Sequence, residues 1–351
     1  MKKRLLVAPL NWGLGHATRC IPLIQELIAH DFEPVIASDG KALSLLKKEF
    51  PHLEAIELPS YRIMYPKKGQ HFKLKLLQSS PKMLKAIKSE RKAIAHIVTS
   101  HKIDGIISDN RLGVHSKKVP CVFMTHQLQV LSGNTTWLST KLHQKVIKRF
   151  QECWVPDHLG EDNLSGILGH TAFYDLPVKY IGPLSRFKKE ELPSKYDILI
   201  LLSGPEPQRS LLESKLLETF KLFQGKVLFI RGVVEEKVQC SKEGHLTIYN
   251  FMTSEELGKA INESHLIISR SGYTTIMDLA KLNKKAFFIP TPGQFEQEYL
   301  AERLSHLGIA PSCSQDQFSL DKLNDIDHYK GLNTLDYKVN YKRLFRLFKG
   351  K

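Results

Sequence analysis

The sequence has few cysteines and no long apolar run. Five cysteines are scattered along 351 residues, and no two of them form a C-x-x-C pair. This usage is typical of a reducing cytoplasm rather than of a disulfide-rich secreted protein. No apolar run approaches the roughly 18 residues of a membrane-spanning helix. The run Leu5–Leu10 is too short for a secretory signal and is interpreted as a first buried strand. We therefore expect a cytoplasmic protein.

Other absences narrow the function. No set of His, Cys or Asp residues has the spacing of a metal site, and the lone Asp325-Ile326-Asp327 lies in a late polar segment. The chain has no internal repeat and no low-complexity tract. Because no pattern calls for a metal or an organic cofactor, we expect neither.

What is present is an ordinary globular composition with an unusual charge. The chain is 42% hydrophobic and 25% charged, and its length suits about two domains. The net charge is +15, and residues 1–182 contain 26 Lys+Arg against 15 Asp+Glu. A basic first half indicates an anionic partner, which could be nucleic acid, a lipid surface or a phosphorylated substrate.

Strand-like apolar runs alternate with amphipathic stretches along the whole chain. This alternation predicts an α/β protein with parallel sheets covered on both faces. Predicted strands are Arg4–Ala8, Glu33–Ala37, Leu53–Glu57, Gly105–Ser108, Cys121–Met124, Glu152–Val155, Asp197–Leu202, Lys226–Ile230, Leu246–Tyr249, Leu266–Ser269 and Ala286–Ile289. Predicted helices include Ala17–Ala29, Lys82–Thr99, Arg209–Phe220, Glu255–Asn262, Thr274–Leu282 and Glu296–Leu307. We expect a first domain at 1–182, a linker at 183–195, a second domain at 196–336 and a basic amphipathic helix within 337–351.

The first strand leads into a glycine–histidine loop. Gly13 and Gly15 allow a tight turn, after which the free amides of the next helix can face an anion. A dinucleotide-binding loop would have a third glycine where Thr18 stands, which disfavours a dehydrogenase. His16 at this turn suits a general base, and Arg19 lies one turn further along the same helix.

Two later strands of the first half also end in polar residues. Asp109 follows one strand and His126 follows the next, so both should lie at the same sheet edge as His16. Asp109 could orient His16 or act as the base itself. His126 could bind an acceptor or a phosphate.

The second half carries a strand–turn–helix signature. Ser269, Arg270, Ser271 and Gly272 end a strand and form a turn, and Tyr273 and Thr274 open a helix whose amides and hydroxyls could hold a diphosphate. One turn further on, Asp278 could accept hydrogen bonds from ribose hydroxyls. A second strand end places three polar side chains where they could bind sugar hydroxyls: Gln294, Gln297 and Glu298.

These motifs resemble those of the two-domain glycosyltransferases of the GT-B fold, and among them family 28, which includes the N-acetylglucosaminyltransferase of peptidoglycan lipid synthesis. The family's G-x-G-G-H loop is matched by Gly13, Gly15 and His16, and its S-R-S-G segment by 269–272. The resemblance covers the whole chain. It implies two doubly wound, Rossmann-like domains facing each other across a cleft, the first binding an acceptor and the second a nucleotide sugar, with UDP favoured. It also implies inversion of the anomeric centre without a bound metal.

The same resemblance assigns further residues to the nucleotide sugar. Asp278 falls at the ribose acid, and Gln297 and Glu298 fall at the pair that binds the donor sugar. Phe251 falls where the backbone grips uracil, and Arg186 resembles an arginine that contacts the diphosphate. A loop with two prolines replaces the family's glycine-rich loop, and its expected contributions are Ser203, Gly204 and Arg209.

Two alternatives stay open at this point. The first loop, G-x-G-H-x-x-R-C from Gly13 to Cys20, is also similar to that of the UDP-sugar hydrolase of pseudaminic acid synthesis, which passes the sugar to water. A binding module that has lost its donor site is the non-enzyme alternative, against which Gly272 and Asp278 both argue.

A basic stretch explains much of the charge. Eleven basic residues and one acid, Glu90, lie between Arg62 and Lys102, interleaved with leucine, isoleucine and alanine. This pattern is typical of a helix on an anionic lipid face. Nucleic acid is disfavoured because no set of stacking aromatics interleaves these charges. We therefore predict a hexosyltransferase that uses a nucleotide sugar and a lipid-linked or other glycan acceptor, peripheral on the inner face of the plasma membrane.

Overall fold

The computed structural model describes residues 2–61, 72–171, 177–233, 235–332 and 339–349, with the backbone alone for 72–82. Within these residues the chain divides into two units. The first contains residues up to 61, most of 73–184 and 339–349, and the second contains most of 185–332. The predicted domain limits at 182 and 196 bracket the change of unit at 184–185. Parts of the predicted basic stretch and of the C-terminal helix lie outside the described residues.

The strands follow the apolar runs of the sequence closely. They are β1 Lys3–Pro9, β2 Phe32–Ser38, β3 Ala55–Glu57, β4 Gly105–Asp109, β5 Cys121–Met124, β6 Glu152–Val155, β7 Val178–Tyr180, β8 Tyr196–Leu201, β9 Val227–Ile230, β10 Cys240–Glu243, β11 Leu246–Tyr249, β12 Ser264–Ser269 and β13 Lys285–Phe288. The predicted strands are all present, with ends that shift by no more than two residues.

The helices lie between the strands. They are α1 Gly15–Ala29, α2 Gly40–Glu49, α3 Phe72–Ser100, α4 Thr136–Ile147, α5 Gln208–Phe220, α6 Ser254–Asn262, α7 Tyr273–Lys281, α8 Phe295–His306, α9 Tyr341–Leu344 and α10 Arg346–Lys349. Among the parts of the chain that the structure describes, no helix combines the length and apolar character needed to cross a bilayer.

The first unit is built on a seven-stranded sheet of order β3-β2-β1-β4-β5-β6-β7, in which every pair is parallel. Alternate residues of β1 enter different cores: Leu5 and Val7 pack on one face of the sheet, and Leu6 and Ala8 on the other. A strand buried on both faces must be apolar throughout, which is why β1 reads as a continuous run.

The second unit has a six-stranded sheet of order β10-β11-β9-β8-β12-β13. Only the edge pair of β10 and β11 is antiparallel. The predicted α/β class with two doubly wound sheets is confirmed. In each sheet the chain moves first to one side of a central strand and then to the other, so the order reverses between β1 and β4 and between β8 and β12. Crevices at the carboxyl ends of such strand pairs are where open α/β sheets bind ligands.

Two edge strands were missed by the sequence prediction. β7 is three residues long, and all four residues of β10 are exposed. Neither has the run of buried apolar residues on which strand prediction depends, because each packs on one neighbour only.

The C-terminal segment belongs to the first unit. The sequence predicts one helix over Tyr337–Phe348, whereas the described part forms the two short helices α9 and α10. Phe345 and Phe348 are buried and lie 6.3 and 6.1 Å from the Trp154 ring. Gly105 leaves room for them, since a Cβ there would lie 2.4 Å from Cδ1 of Phe348.

Candidate functional site

The loop after β1 is held in place by its first polar residue. Asn11 donates to Asp39 Oδ2 at 3.2 Å and accepts from the backbone amide of Ala42 at 3.2 Å, which ties the loop to the start of α2. Gly13 has φ +79°, a left-handed conformation that favours glycine. The turn at Gly13 therefore lets α1 begin directly after β1, with His16 in its first turn.

His16, Arg19 and Asp109 form one buried cluster at the β1–β4 edge. Arg19 Nε donates to Asp109 Oδ2 at 2.8 Å, and its Nη2 contacts the other carboxylate oxygen. His16 Nδ1 lies 3.2 Å from Asp109 Oδ1 and 2.9 Å from Arg19 Nη2. Asp109 is completely buried and Arg19 is 1% exposed, whereas the His16 side chain is 14% exposed. The histidine is thus the member of this cluster that a ligand can reach.

His126 is joined to the cluster through Arg19. Arg19 Nη1 donates to His126 Nδ1 at 2.9 Å. Because a guanidinium only donates, this contact is a hydrogen bond in the tautomer of His126 that has its lone pair on Nδ1 and its proton on Nε2. The structure therefore brings all four predicted polar residues of the first unit into one network.

In this network, burial and the neighbouring charges shift the pKa values of Asp109 and His16 in opposite directions. Burial by itself would raise the pKa of Asp109, but the Arg19 guanidinium and His16 outweigh it and hold that pKa well below its usual range. Burial lowers the pKa of His16, against the pull of Asp109. At neutral pH the result is an ionised carboxylate beside a neutral imidazole.

The neutral His16 ring has two tautomers with different partners. With the proton on Nδ1 it donates to Asp109, and Nε2 is left with a lone pair that can accept a proton. With the proton on Nε2 it accepts from Arg19 instead. The first tautomer is the one that a general base requires.

A second buried ionic network adjoins the first, and sequence reasoning missed it. Arg111 is fully buried and donates to Glu90 Oε1 at 2.5 Å and to Asp39 Oδ1 at 2.7 Å. Tyr61 donates to Glu90 Oε2 at 2.6 Å, and Arg111 also reaches the carbonyl of Pro59 at 2.7 Å. No sequence pattern predicted this network, because Asp39, Glu90 and Arg111 are more than 20 positions apart from one another.

In the second unit the predicted turn after β12 opens α7. Gly272 caps the helix, with Tyr273 as its first residue and Thr274 as its second. Ser271 is buried and its hydroxyl donates to the Gln297 carbonyl at 2.7 Å, which joins this turn to α8. The first amides of α7 thus stand at the carboxyl end of β12, where an anion would be stabilised.

Asp278 is the titratable group of this second set. It is 8% exposed and its Oδ1 accepts from the Ser185 hydroxyl at 2.7 Å. Burial raises the pKa of Asp278 to about 6, although Arg186 and Ser185 work in the opposite direction. Arg186 itself donates to Ser254 Oγ at 2.9 Å.

The loop between β13 and α8 orients the predicted sugar-binding residues. The Gln297 side chain accepts from the Thr291 amide at 2.8 Å, and the Glu298 carboxylate accepts from the Gly293 amide at 2.8 Å. Thr291 Oγ1 and Gln294 Oε1 are buried without a hydrogen-bond partner among the described residues. Such orphaned acceptors favour a polar ligand at this loop, and Thr291 is a candidate that sequence reasoning did not name.

Two predicted arginines are occupied by neighbouring protein groups. Arg270 is 1% exposed and donates to the carbonyls of Ile289, Pro290 and Gln208 and to Gln315 Oε1, at 2.7–3.1 Å. Burial lowers its pKa to about 10. Arg209 pairs with Glu206 at 2.6 Å and with Glu213. Both arginines tie loops together at the strand ends.

The remaining predicted residues of this unit lie near the same strand ends. Ser203 and Gly204 are exposed after β8, and Gly204 has φ +105°. Ser269 is buried and donates to the carbonyl of Arg270 at 3.1 Å. The amide of Phe251, after β11, donates to Asn250 Oδ1 at 2.9 Å. Among the described residues, no group of three or more His, Cys, Asp or Glu could hold a metal ion.

Comparison with known proteins defines the class. Residues 202–327 match the family model described as the glycosyltransferase family 28 C-terminal domain. An uncharacterized glycosyltransferase of Methanopyrus kandleri is 22% identical over 350 residues, 93% of each chain. The UDP-N-acetylglucosamine--N-acetylmuramyl-(pentapeptide) pyrophosphoryl-undecaprenol N-acetylglucosamine transferase of Glaesserella parasuis is 24% identical over 335 residues, covering 92% of this chain and 88% of the relative.

A solved structure supports the same class at the level of the fold. The spinosyn forosaminyltransferase superposes with a TM-score of 0.64 at 13% identity, covering 100% of both chains. The protein is a glycosyltransferase of the GT-B fold, and it resembles family 28, as the sequence predicts. The hydrolase alternative receives no support from these matches.

Proposed function

We propose that the protein transfers a hexose or an N-acetylhexosamine from a UDP-sugar to a lipid-linked or other glycan acceptor, with inversion at the anomeric carbon. The observation that carries the proposal is the His16–Asp109–Arg19 cluster, which combines a reachable neutral imidazole with a buried ionised carboxylate. The Glaesserella parasuis relative bears the name of an enzyme with a UDP-sugar donor and a pyrophosphoryl-undecaprenol acceptor, which supports this substrate class.

In the proposed reaction His16 is the general base. The acceptor hydroxyl gives its proton to Nε2 as its oxygen forms a bond to the anomeric carbon. The bond from that carbon to the diphosphate oxygen breaks, and its electron pair leaves with the nucleoside diphosphate. Asp109 accepts a hydrogen bond from Nδ1–H and stabilises the imidazolium that forms, without taking up the proton itself, as the acid partner of a histidine base does.

The second unit is proposed to hold the donor. Asp278 accepts hydrogen bonds from the ribose hydroxyls, and the first amides of α7 face the diphosphate. Thr291, Gln294 and Gln297 are placed at the loop that would meet the sugar. The reaction needs no separate cofactor or metal, because amides and positive side chains stabilise the leaving group.

Incubation with a panel of nucleotide sugars, first without and then with lipid-linked acceptors, tests the proposal. We expect rapid UDP release only when an acceptor is present. Full-rate release into water alone would replace the transferase by the hydrolase. If no nucleotide binds at all, both enzymes are excluded and a binding module remains.

His16→Ala and Asp278→Ala separate the two halves of the mechanism. His16→Ala should lower kcat by about 10²–10⁴-fold and leave UDP affinity unchanged. Asp278→Ala should weaken UDP affinity. His96→Ala is the matched control for the first variant, because His96 is an exposed histidine on α3. Normal turnover in His16→Ala would remove this residue from the mechanism.

A further inference from the structure

Two of the arginines that the sequence predicts to bind the nucleotide sugar are already bonded within the protein. Arg270 is 1% exposed, and both of its terminal nitrogens donate to protein groups. Arg209 forms ion pairs with two glutamates of its own segment. The loop between β8 and α5 offers few donors of its own, because Pro205 and Pro207 have no amide N–H. A diphosphate at this edge of the sheet would therefore be stabilised by a further cation.

Arg231, the first residue after β9, offers such a cation. Its side chain is 42% exposed. Nε donates to Glu213 Oε1 at 2.6 Å, whereas Nη1 and Nη2 form no hydrogen bond within the residues that the structure describes. The two terminal nitrogens of a guanidinium have the spacing that binds two oxygens of a phosphate group. Sequence reasoning did not name this residue.

Glu213 holds this guanidinium in one orientation. The Glu213 carboxylate lies on α5 and is 10% exposed, and its second oxygen, Oε2, accepts from Arg209 Nη1. Burial of a carboxylate costs free energy unless the group is paired, and an arginine that only kept the surface soluble would not require such a partner. Because Glu213 engages Nε alone, the two terminal nitrogens of Arg231 are left for a ligand.

The position of Arg231 places it at the carboxyl edge of the second sheet. β8 and β9 are parallel and end level with each other, so Arg231 stands beside the first residues after β8. Gly232 packs against that segment, since a Cβ there would lie 2.2 Å from the Leu202 carbonyl oxygen. There is open space next to it: beyond its adjacent residues, a Cβ at Gly204 would meet only Thr291 Oγ1, at 4.0 Å, among the described atoms.

We infer that Arg231 binds the diphosphate of the sugar donor, with Nη1 and Nη2 donating to phosphate oxygens. The inference rests on the proposed function, because it requires a nucleoside diphosphate in the second unit. It is independent of the base, since the guanidinium contacts phosphate oxygens alone. It also accounts for a loop that carries two prolines and Glu206, because the cation comes from the neighbouring strand and not from the loop itself.

The affinities of the full chain for uridine, UMP and UDP test the inference. Calorimetric titration gives the values for UMP and UDP, and competition against UDP gives the value for uridine. Arg231→Ala should weaken UDP binding by about tenfold or more and change uridine binding by less than about twofold, because the lost hydrogen bonds are those to phosphate. Arg231→Lys keeps the charge without the planar pair of donors and should give an intermediate loss.

A matched control separates direct contact from the overall charge of the unit. Lys226 is exposed just before β9, so Lys226→Ala removes a positive charge from the opposite end of the same strand. This variant should change UDP affinity by less than about twofold. In Arg231→Ala, Glu213 keeps Arg209 as its partner, so the circular dichroism spectrum should match that of the parent.

Two results would overturn the inference and leave the proposed function intact. These are unchanged UDP affinity in Arg231→Ala, or equal losses of uridine and UDP affinity, which would show a general effect on the site. If the parent binds ADP but not UDP, the proposed UDP donor is rejected, and adenosine, AMP and ADP then decide on Arg231 in the same way. A parent that binds no nucleoside diphosphate rejects both proposals.

Discussion

His16 combines two neighbours that pull its ring in opposite directions. Asp109 stabilises a proton on Nδ1, and Arg19 stabilises a lone pair there. Burial adds to the effect of Arg19 and lowers the pKa of the ring. A base in this position stays neutral under slightly acidic conditions, which broadens the range of pH over which it can accept a proton.

The pH profile of the reaction follows from this shift. Since the pKa of His16 lies below its ordinary value of 6.5, the acid limb of kcat/KM should have its midpoint below pH 6.5. Asp109→Asn removes the carboxylate that favours a proton on Nδ1, and should lower kcat while sparing UDP affinity. An acid limb that stays in place in His16→Gln, measured on residual activity, would assign the titration to another group.

Asp278 is a second residue with a shifted pKa, because burial in the folded protein destabilises its ionised form. Its folded pKa of about 6 lies above its ordinary value of 3.8, so its contribution to stability is present at low pH and is lost as pH rises through 6. Asp278→Asn should therefore raise the free energy of unfolding at pH 8 by about 1–2 kcal/mol and weaken UDP binding.

Urea unfolding at several pH values checks this expectation. The difference between Asp278→Asn and the parent should shrink as pH falls from 8 to 5, because the aspartate then takes up a proton in the folded state. A change at Ser185 is unsuitable as a control, since the Ser185 hydroxyl donates to Asp278. Asp321→Asn, at an exposed position in the same unit, is the control change and should leave the difference flat with pH.

At the scale of elements, Arg111 connects parts of the chain that the strands alone would not join. It links Asp39 after β2, Glu90 in α3 and the Pro59 carbonyl after β3. Asp39 also binds Asn11, so this network reaches the loop that carries His16. The active-site loop is therefore braced from behind by a buried ionic cluster.

Removal of Arg111 should be strongly destabilising. Arg111→Ala leaves Asp39 and Glu90 buried without their common cation, which should cost about 3–5 kcal/mol of unfolding free energy. Arg111→Met/Glu90→Leu should recover part of this loss, because the double change removes a charge from each side. Glu218→Gln, in an exposed pair with Lys221, serves as the control and should have no measurable effect. Equal stability of Arg111→Ala and the parent would show that the cluster contributes nothing.

Sequence reasoning predicted the residues whose role depends on their own strand or helix. It missed the contacts that form only when loops distant in sequence come together in the fold. Continuous apolar runs identified the buried strands, and a polar residue directly after such a strand was enough to predict that Asp109 and His126 meet His16. The partners of Arg111, Arg209 and Arg270 depend on loops that approach each other only in the fold. The resemblance therefore assigned Arg209 and Arg270 to the nucleotide sugar, although Arg209 and both terminal nitrogens of Arg270 donate to protein groups.

At the scale of the molecule, the first unit is completed by residues 339–349. Phe345 and Phe348 belong to the same core cluster as Leu5 and Trp154. Phe348→Ala should cost about 3–5 kcal/mol of unfolding free energy. Trp154 fluorescence reports the loss locally, since the two rings lie 6.1 Å apart. Leu222→Ala, at an exposed site, should leave the transition where it is, and an equal shift in both variants would contradict the packing role of Phe348.

Because residues 339–349 pack back on the first unit, the two units become complete at different times during synthesis. The second unit is nearly continuous in sequence, whereas the core of the first unit needs side chains from both before and after it. On the ribosome, all the contacts of the second unit's sheet are available before Phe345 and Phe348 have been translated. The half of the molecule that is made first is consequently the half that is finished last.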